Sequence, residues 1–176
     1  MDLLLDRMPS PLGTLVLVCD GQVLRALGFG DDEAQLSRWL ARCEGARRLT
    51  PGRAPAAIRR PIEEYFDGQL GALERVPVEA AGTPFQRAVW SALRTIPAGA
   101  TVTYGQLAAR VGRPGHSRAV GMANGANPVA IVVPCHRVIG ADGTLTGYGG
   151  GLDRKRWLLA HERALLELVP LFPARK

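Results

Sequence analysis

Carboxylates are missing from a long interval of this chain. None stands between Glu79 and Asp142, while Arg87, Arg94, Arg110, Arg113, Arg118 and Arg137 all fall inside it. A folded surface normally mixes both signs, so such an interval suits a polyanionic partner, with nucleic acid the leading candidate. Residues 1–82 carry a net charge of −2 and residues 83–176 one of +8, giving the +6 of the whole. An arginine-rich composition explains the many arginines but not the absent carboxylates. Cysteine is also scarce. Three cysteines with no Cys-x-x-Cys pattern argue against a disulfide framework and a cysteine-rich zinc site, and they suit a reducing, cytoplasmic setting. No apolar run approaches the ~20 residues that span a bilayer, so no membrane partner is expected. The start, Met1 to Asp6, lacks the basic opening and long apolar core of a signal peptide.

What is present, 47% hydrophobic and 22% charged residues, suits one or two small globular domains. Gly13–Cys19 and Gln22–Leu27 are strand-like runs joined at Asp20-Gly21, a strong hairpin signal. Asp31 or Asp32 is placed to cap a helix over Ala34–Cys43, with Leu36, Leu40 and Cys43 on one face. Cys19 and Cys43 then read as core residues. A second helix is expected over Ala56–Phe66, and Val76-Pro77-Val78 as a short extended piece. Nothing in this half carries a chemical constellation, and it reads as a scaffold.

Thr83-Pro84-Phe85-Gln86 opens the second half with a cap residue, a first-turn proline and a glutamine three residues after the cap. Phe85, Val89, Leu93 and Ile96 mark its apolar face. Thr103-Tyr104-Gly105-Gln106 is another capping box, opening a short helix to about Val111. The turn Gly112-Arg113-Pro114-Gly115 leads to a second short helix, roughly His116 to Gly125. Helix, glycine-bearing turn, helix is the helix-turn-helix pattern. The second helix, with Ser117, Arg118, Gly121, Asn124 and Gly125, is poor in helix propensity but suits close backbone approach. Arg118 reads either as a DNA contact or as a solvated residue beside tight helix packing.

The richest stretch is Val132-Val133-Pro134-Cys135-His136-Arg137-Val138-Ile139. The apolar run Ile131–Val133 reads as a strand delivering Cys135 and His136 into a rigid turn at Pro134. A thiolate nucleophile needs a neighbouring base or cation, and His136 and Arg137 offer both. The competing reading is a buried structural thiol. The glycine-rich loop Thr146–Gly151 lacks the Lys-Ser/Thr of a phosphate loop, so no nucleotide cofactor is expected; holding Tyr148, it suits one wall of a flat pocket. Asp153 is placed to cap a last helix, Arg154 to about Leu168. There Glu162 shares a stripe with Leu158 and Leu165, which is costly unless it reaches solvent or pairs with a buried partner such as His136.

The motifs Pro134-Cys135-His136-Arg137-Val138, Ser117-Arg118-Ala119-Val120-Gly121, Asn127-Pro128 and Trp157-Leu158-Leu159-Ala160-His161-Glu162 closely resemble one family, the O6-alkylguanine-DNA alkyltransferases. The resemblance covers about Gly82 to Leu165. It implies a ribonuclease H-like α/β N-terminal domain (1–81, a small antiparallel sheet plus helices). A mainly α C-terminal domain follows (82–168, a winged-helix-like helix-turn-helix), then a tail (169–176). It implies irreversible, single-turnover transfer of the alkyl group of O6-alkylguanine, and of O4-alkylthymine, from duplex DNA to Cys135 by a monomer without cofactor. His136 would act as base through a water, Glu162 would orient it, Asn127 would brace the turn and Tyr104 would assist the leaving base. Arg118 would replace the flipped nucleotide from the minor groove, with Ser117, Arg113 and Gly121 also facing DNA. Tyr104, Val138, Tyr148 and Gly149 would form the base pocket, the backbone at Cys135 and Val138 reading the exocyclic amine. Gly149 stands where some relatives have serine, so its contact would come from the backbone. The N-terminal half holds no histidine, so the structural zinc of some relatives is not expected. A DNA-binding regulator with an inert thiol and a turning-over cysteine hydrolase are the alternatives.

Overall fold

The Asp20-Gly21 turn forms because its residue types stabilise it locally. Asp20 Oδ1 accepts from the backbone N–H of Gln22 and of Val23, both at 3.0 Å, and Gly21 takes a φ of +91°. The computed structural model describes residues 2–32, 37 and 48–163, and in it this turn joins β2 (Gly13–Cys19) to β3 (Leu24–Phe29). The sequence reading leaves out β1 (Leu3–Ser10), which pairs with β2 through the Pro11-Leu12 turn. Its leading leucines do not alternate and Pro9 lies inside it, so the two-residue period is blurred. A short β4 (Leu49–Pro51) runs parallel to β1, making the sheet mixed, in the order β3-β2-β1-β4, rather than purely antiparallel. Apart from Ser37, which is helical and exposed, the helix expected over Ala34–Cys43 lies outside the described residues, and Cys43 with it. Cys19 is buried.

Helix α1 (Ala56–Phe66) buries Ile58, Ile62 and Tyr65 in the core, and Val78 forms a parallel bridge to Leu24. The second half opens with α2 (Pro84–Arg94), whose capping box is reciprocal. Thr83 Oγ1 accepts from Gln86 N at 3.2 Å, and Gln86 Oε1 accepts from Thr83 N at 2.9 Å. The same device at Thr103 and Gln106 opens α3 (Tyr104–Arg110), just after the two-residue β5 (Val102–Thr103). Gly112 and Gly115, both at positive φ, turn the chain into α4 (Ser117–Gly125). Trp90 Nε1 donates to Ala123 O at 2.8 Å, fastening α2 to α4.

Two expectations are corrected. Ile131–Val133 is not a strand: Ile131 has a φ of +69°, and Val129 alone bridges, to Leu27. A short buried apolar run fits a strand and a packed turn equally well, and hydrophobicity does not separate them. The last helix, α5 (Leu152–His161), follows Gly151 rather than an Asp153 cap. Asp153 is its second residue, fully exposed and bonded to Arg156. Glu162 caps its C-terminus and Arg163 takes a φ of +63°, so this helix ends at His161, short of the expected Leu168. Residues 164 onward lie outside the description. Both halves feed one contiguous core that includes Leu17, Ile58, Leu93, Val129 and Leu158. Among the described residues no helix is long and apolar enough to cross a membrane.

Replacing Thr83 by Ala removes the α2 cap. The expected loss is about 1 kcal/mol, read as a lower urea midpoint at unchanged slope; an unchanged midpoint would show that the cap contributes nothing.

Candidate active site

Cys135 opens a 3-10 turn, Cys135–Arg137, directly before β6 (Val138–Ile139), which pairs with β5. The turn is held from behind by Asn127. Its Nδ2 donates to Val133 O at 2.8 Å, and its Oδ1 accepts from Val129 N at 3.0 Å. These bonds, with Ala130 N to Leu27 O and Leu27 N to Pro128 O, both 2.9 Å, take up the backbone groups that a strand ladder would otherwise use. Cys135 is 7% exposed and lines a cavity of about 610 Å³, well within the range of small-molecule sites.

Behind the turn lies a buried charged network. Glu162 is 1% exposed, so it does not reach out to solvent. Its Oε1 contacts His136 Nε2 at 2.8 Å and accepts from Tyr65 Oη at 2.8 Å and Arg137 Nη2 at 2.9 Å; its Oε2 accepts from Arg137 Nε at 2.9 Å. Burial raises the pKa of this carboxyl, but the His136 and Arg137 interactions outweigh it and hold the group well below its ordinary 4.5. Burial is also the largest influence on His136 and lowers its pKa, against the raising effect of Glu162. A neutral imidazole beside an acceptor-only carboxylate carries its proton on Nε2, which leaves Nδ1 as the basic nitrogen. That Nδ1 is buried and has no hydrogen-bond partner among the described residues.

The thiol itself is pushed up by burial, while the Asn127 side chain and the Lys155 ammonium pull it down. Lys155 is fully buried. Its Nζ donates to Val138 O at 2.7 Å and Thr146 O at 2.8 Å, and burial lowers its pKa to about 8. Arg137 does not serve the thiol as its position beside it suggests, because its guanidinium is committed to Glu162 and to Ile96 O.

Of the residues expected at the pocket, Tyr104, Tyr148 and Gly149 line the cavity with Cys135 and Asn127, and so does Gly121, which was expected to face DNA. Val138 does not. It is wholly buried where β6 pairs with β5, and its carbonyl holds the Lys155 ammonium. Ser117 and Arg118 occupy the first turn of α4, and Arg113 lies in the turn before it; Arg113 and Arg118 are exposed. The N-terminal half is more than a scaffold. Tyr65 joins the Glu162 network, and Leu27, Phe29 and Asp32 line the cavity. Arg154 ties the two halves beside it. Its guanidinium lies 4.2 Å over the Phe29 ring, pairs with Asp31 at 2.8 Å and donates to Leu12 O and Gly150 O, both 3.2 Å. Sequence reasoning missed Tyr65, Lys155 and Asn124. Lys155, two residues after Asp153 in a helix that also places Leu158 and Leu159 in the core, carries the one weak signal, a cation on a buried face.

A buried thiol beside a cavity, backed by a histidine–carboxylate pair, thus lies next to two short helices joined by a turn that carries exposed arginines. Residues 5–80 match the 6-O-methylguanine DNA methyltransferase ribonuclease-like domain, and residues 84–164 match the DNA-binding domain of the same family. The methylated-DNA–protein-cysteine methyltransferase of Salmonella typhimurium is 51% identical over 168 residues, covering 93% of this chain and 98% of the relative. The crystal structure of the Mycobacterium tuberculosis O6-methylguanine methyltransferase is 43% identical, with a TM-score of 0.77, covering 92% of this chain and 93% of that one. A structure of the M. tuberculosis protein in complex with DNA is 42% identical, with the same TM-score and coverage. The chain belongs to the 6-O-methylguanine DNA methyltransferase family.

Glu162 and His136 predict how stability follows pH. Both have folded-state pKa values below their ordinary 4.5 and 6.5, so in acid the unfolded chain takes up protons first. Stability therefore falls as pH drops through 6.5 and falls further below 4.5. Glu162→Gln, which takes the carboxylate from Arg137, should cost about 3–5 kcal/mol at neutral pH and make the lower step smaller, Asp20 and other paired carboxylates keeping their share. His136→Gln should abolish the upper one. Denaturation midpoints measured across the acid range check this; unchanged pH dependence in both variants would rule out the assigned protonation states.

Proposed function

We propose that this chain repairs DNA by moving the alkyl group of O6-alkylguanine, and of O4-alkylthymine, onto its own Cys135. The observation that carries the reading is the buried Cys135 thiol at the cavity, with a neutral His136 held by Glu162 behind the same turn. A base inside a duplex cannot reach a buried thiol, so the target nucleotide must leave the stack, at a cost of roughly a few kcal/mol. Helix α4 docks in the minor groove, where its glycines permit close approach, and Arg118 takes the place of the extruded base. Arg113, Ser117 and Gly121 follow the same surface.

In the pocket, Cys135 Sγ attacks the alkyl carbon. The new S–C bond forms as the C–O bond to the base breaks. The thiol proton passes through a water to His136 Nδ1, and the Glu162 carboxylate stabilises the imidazolium that results. Tyr104 donates toward N3 of the leaving guanine, offsetting the negative charge that develops on it. The thioether has no route back to a thiol in this site, so each molecule acts once. Asn127 keeps the sulfur in line by fixing the turn, and Tyr148 and Gly149 wall the base. The protein acts as a cytoplasmic monomer, with the division between its two domains near residue 82.

An inert thiol in a DNA-binding regulator and a turning-over cysteine hydrolase both predict a different outcome. With Arg118→Ala, single-turnover repair of an O6-methylguanine duplex should slow by about tenfold or more, while reaction with free O6-benzylguanine stays near wild type. Equal slowing of both reactions would contradict the role given to Arg118. Cys135→Ser should abolish transfer from either substrate, and retained transfer would overturn the assignment of the acceptor.

A further inference from the structure

Helix α4 turns an apolar side chain to solvent. Met122 is 73% exposed, and among the described residues only Leu152, at 38%, is another exposed large hydrophobic. A single surface apolar residue is ordinary, so its place on the helix decides whether it has a use. Met122 lies four residues after Arg118, which puts the two side chains on one face, a helical turn apart. The exposed positions that follow, Gly125 and Ala126, are small. Met122 is thus the one long side chain besides Arg118 that stands out from this face of α4.

Its surroundings are cationic. Arg110 ends α3, Arg113 lies in the turn and Arg118 is in the first turn of α4, and all three are exposed. No carboxylate occurs in the sequence between Glu79 and Asp142 to offset them. Such a surface draws a polyanion, and Met122 stands in the middle of it. Gly121, Gly125 and Ala126 line the Cys135 cavity, whereas Met122 does not. The methionine therefore meets what lies across the mouth of the cavity, not the base inside it. Duplex DNA offers an apolar complement there, because minor-groove proteins set apolar side chains, methionine among them, against the base steps.

We infer that Met122 is a DNA-docking residue: its thioether side chain packs into the minor groove beside the extruded nucleotide, against the sugars and base edges of the flanking pairs. This rests on the functional reading above. Four residues advance a helix by about 6 Å, roughly two base-pair rises, so Met122 reaches past the gap that Arg118 fills. An unbranched, polarisable side chain adapts to the irregular groove left by extrusion. The contact adds affinity without neutralising a phosphate.

Met122→Gln tests this, since glutamine keeps the length and helix propensity of methionine but replaces the thioether by an amide. Single-turnover repair of a duplex carrying one O6-methylguanine is followed by intact mass over a range of protein concentrations, with circular dichroism as the check on folding. The protein concentration giving half the maximal rate should rise about fivefold or more, while the maximal rate stays within about twofold. The rise should be the same at about 50 and about 200 mM salt, because no phosphate contact is lost. Met122→Leu, which stays apolar, should remain within about twofold of the wild type, and both variants should react normally with free O6-benzylguanine. Unchanged half-saturation in Met122→Gln overturns the inference and leaves this face without a DNA contact. Equal losses in the Leu and Gln variants, an effect that disappears at the higher salt, or matching slowing on the free base overturn it as well. A wild-type protein that gains no methyl group from the duplex overturns the transferase reading itself, and the inference with it.

Discussion

An ionised carboxylate with almost no contact with water is the constraint around which this molecule is arranged. Glu162 is tolerated in the interior only because Tyr65, His136 and Arg137 give it four short contacts, so that removing a partner would leave a charge buried without compensation. Those partners come from α1, from the turn after Pro134 and, for Glu162 itself, from the end of α5. The network thus locks three elements that are distant in sequence into one arrangement. It also dictates chemistry. A carboxylate on the Nε2 side fixes the tautomer of His136 and directs its basic nitrogen elsewhere, so one interaction serves folding and reactivity together.

The thiol follows a different logic. Burial keeps Cys135 protonated at rest despite Asn127 and Lys155, which protects it from adventitious oxidation and alkylation. Reactivity then depends on a proton acceptor close by and a substrate already seated, as suits a protein that can act only once. The cavity that seats the substrate is a joint product of both halves. β3 is hydrogen-bonded to the segment after Asn127, and Phe29 stands against Tyr148 with ring centroids 6.4 Å apart. Gly150 accommodates this contact, since a Cβ there would overlap the Phe29 ring. The ribonuclease-like half therefore shapes the site without supplying its nucleophile.

Local chemistry made much of this legible. The Asp20-Gly21 turn, both capping boxes and the helix-turn-helix follow from residue types within a few positions of one another. The Pro134-Cys135-His136 motif pointed to a rigid turn. Glu162 on a leucine stripe posed the right question, and the burial of His136 answers it. The parts that escaped are those fixed by distant contacts. Tyr65 lies 97 positions from the carboxylate it serves, and no spacing rule spans that interval. Lys155 and Asn124 looked like ordinary polar positions on short helices because nothing local says which face meets the cysteine. Ile131–Val133 was misread because a fully apolar run carries no period. Val138 was placed in the pocket through resemblance, whereas here its side chain is buried and Lys155 holds its carbonyl.

The central claim is that Cys135 is a single-use acceptor of an alkyl group from DNA. Intact-protein mass after mixing with a duplex carrying one O6-methylguanine tests it most directly. The account predicts one methyl adduct, mapped to Cys135, with repair stopping when protein and lesion have reacted one to one. An unchanged mass alongside clear DNA binding would contradict it and leave Cys135 as a structural thiol in a protein that only recognises damage.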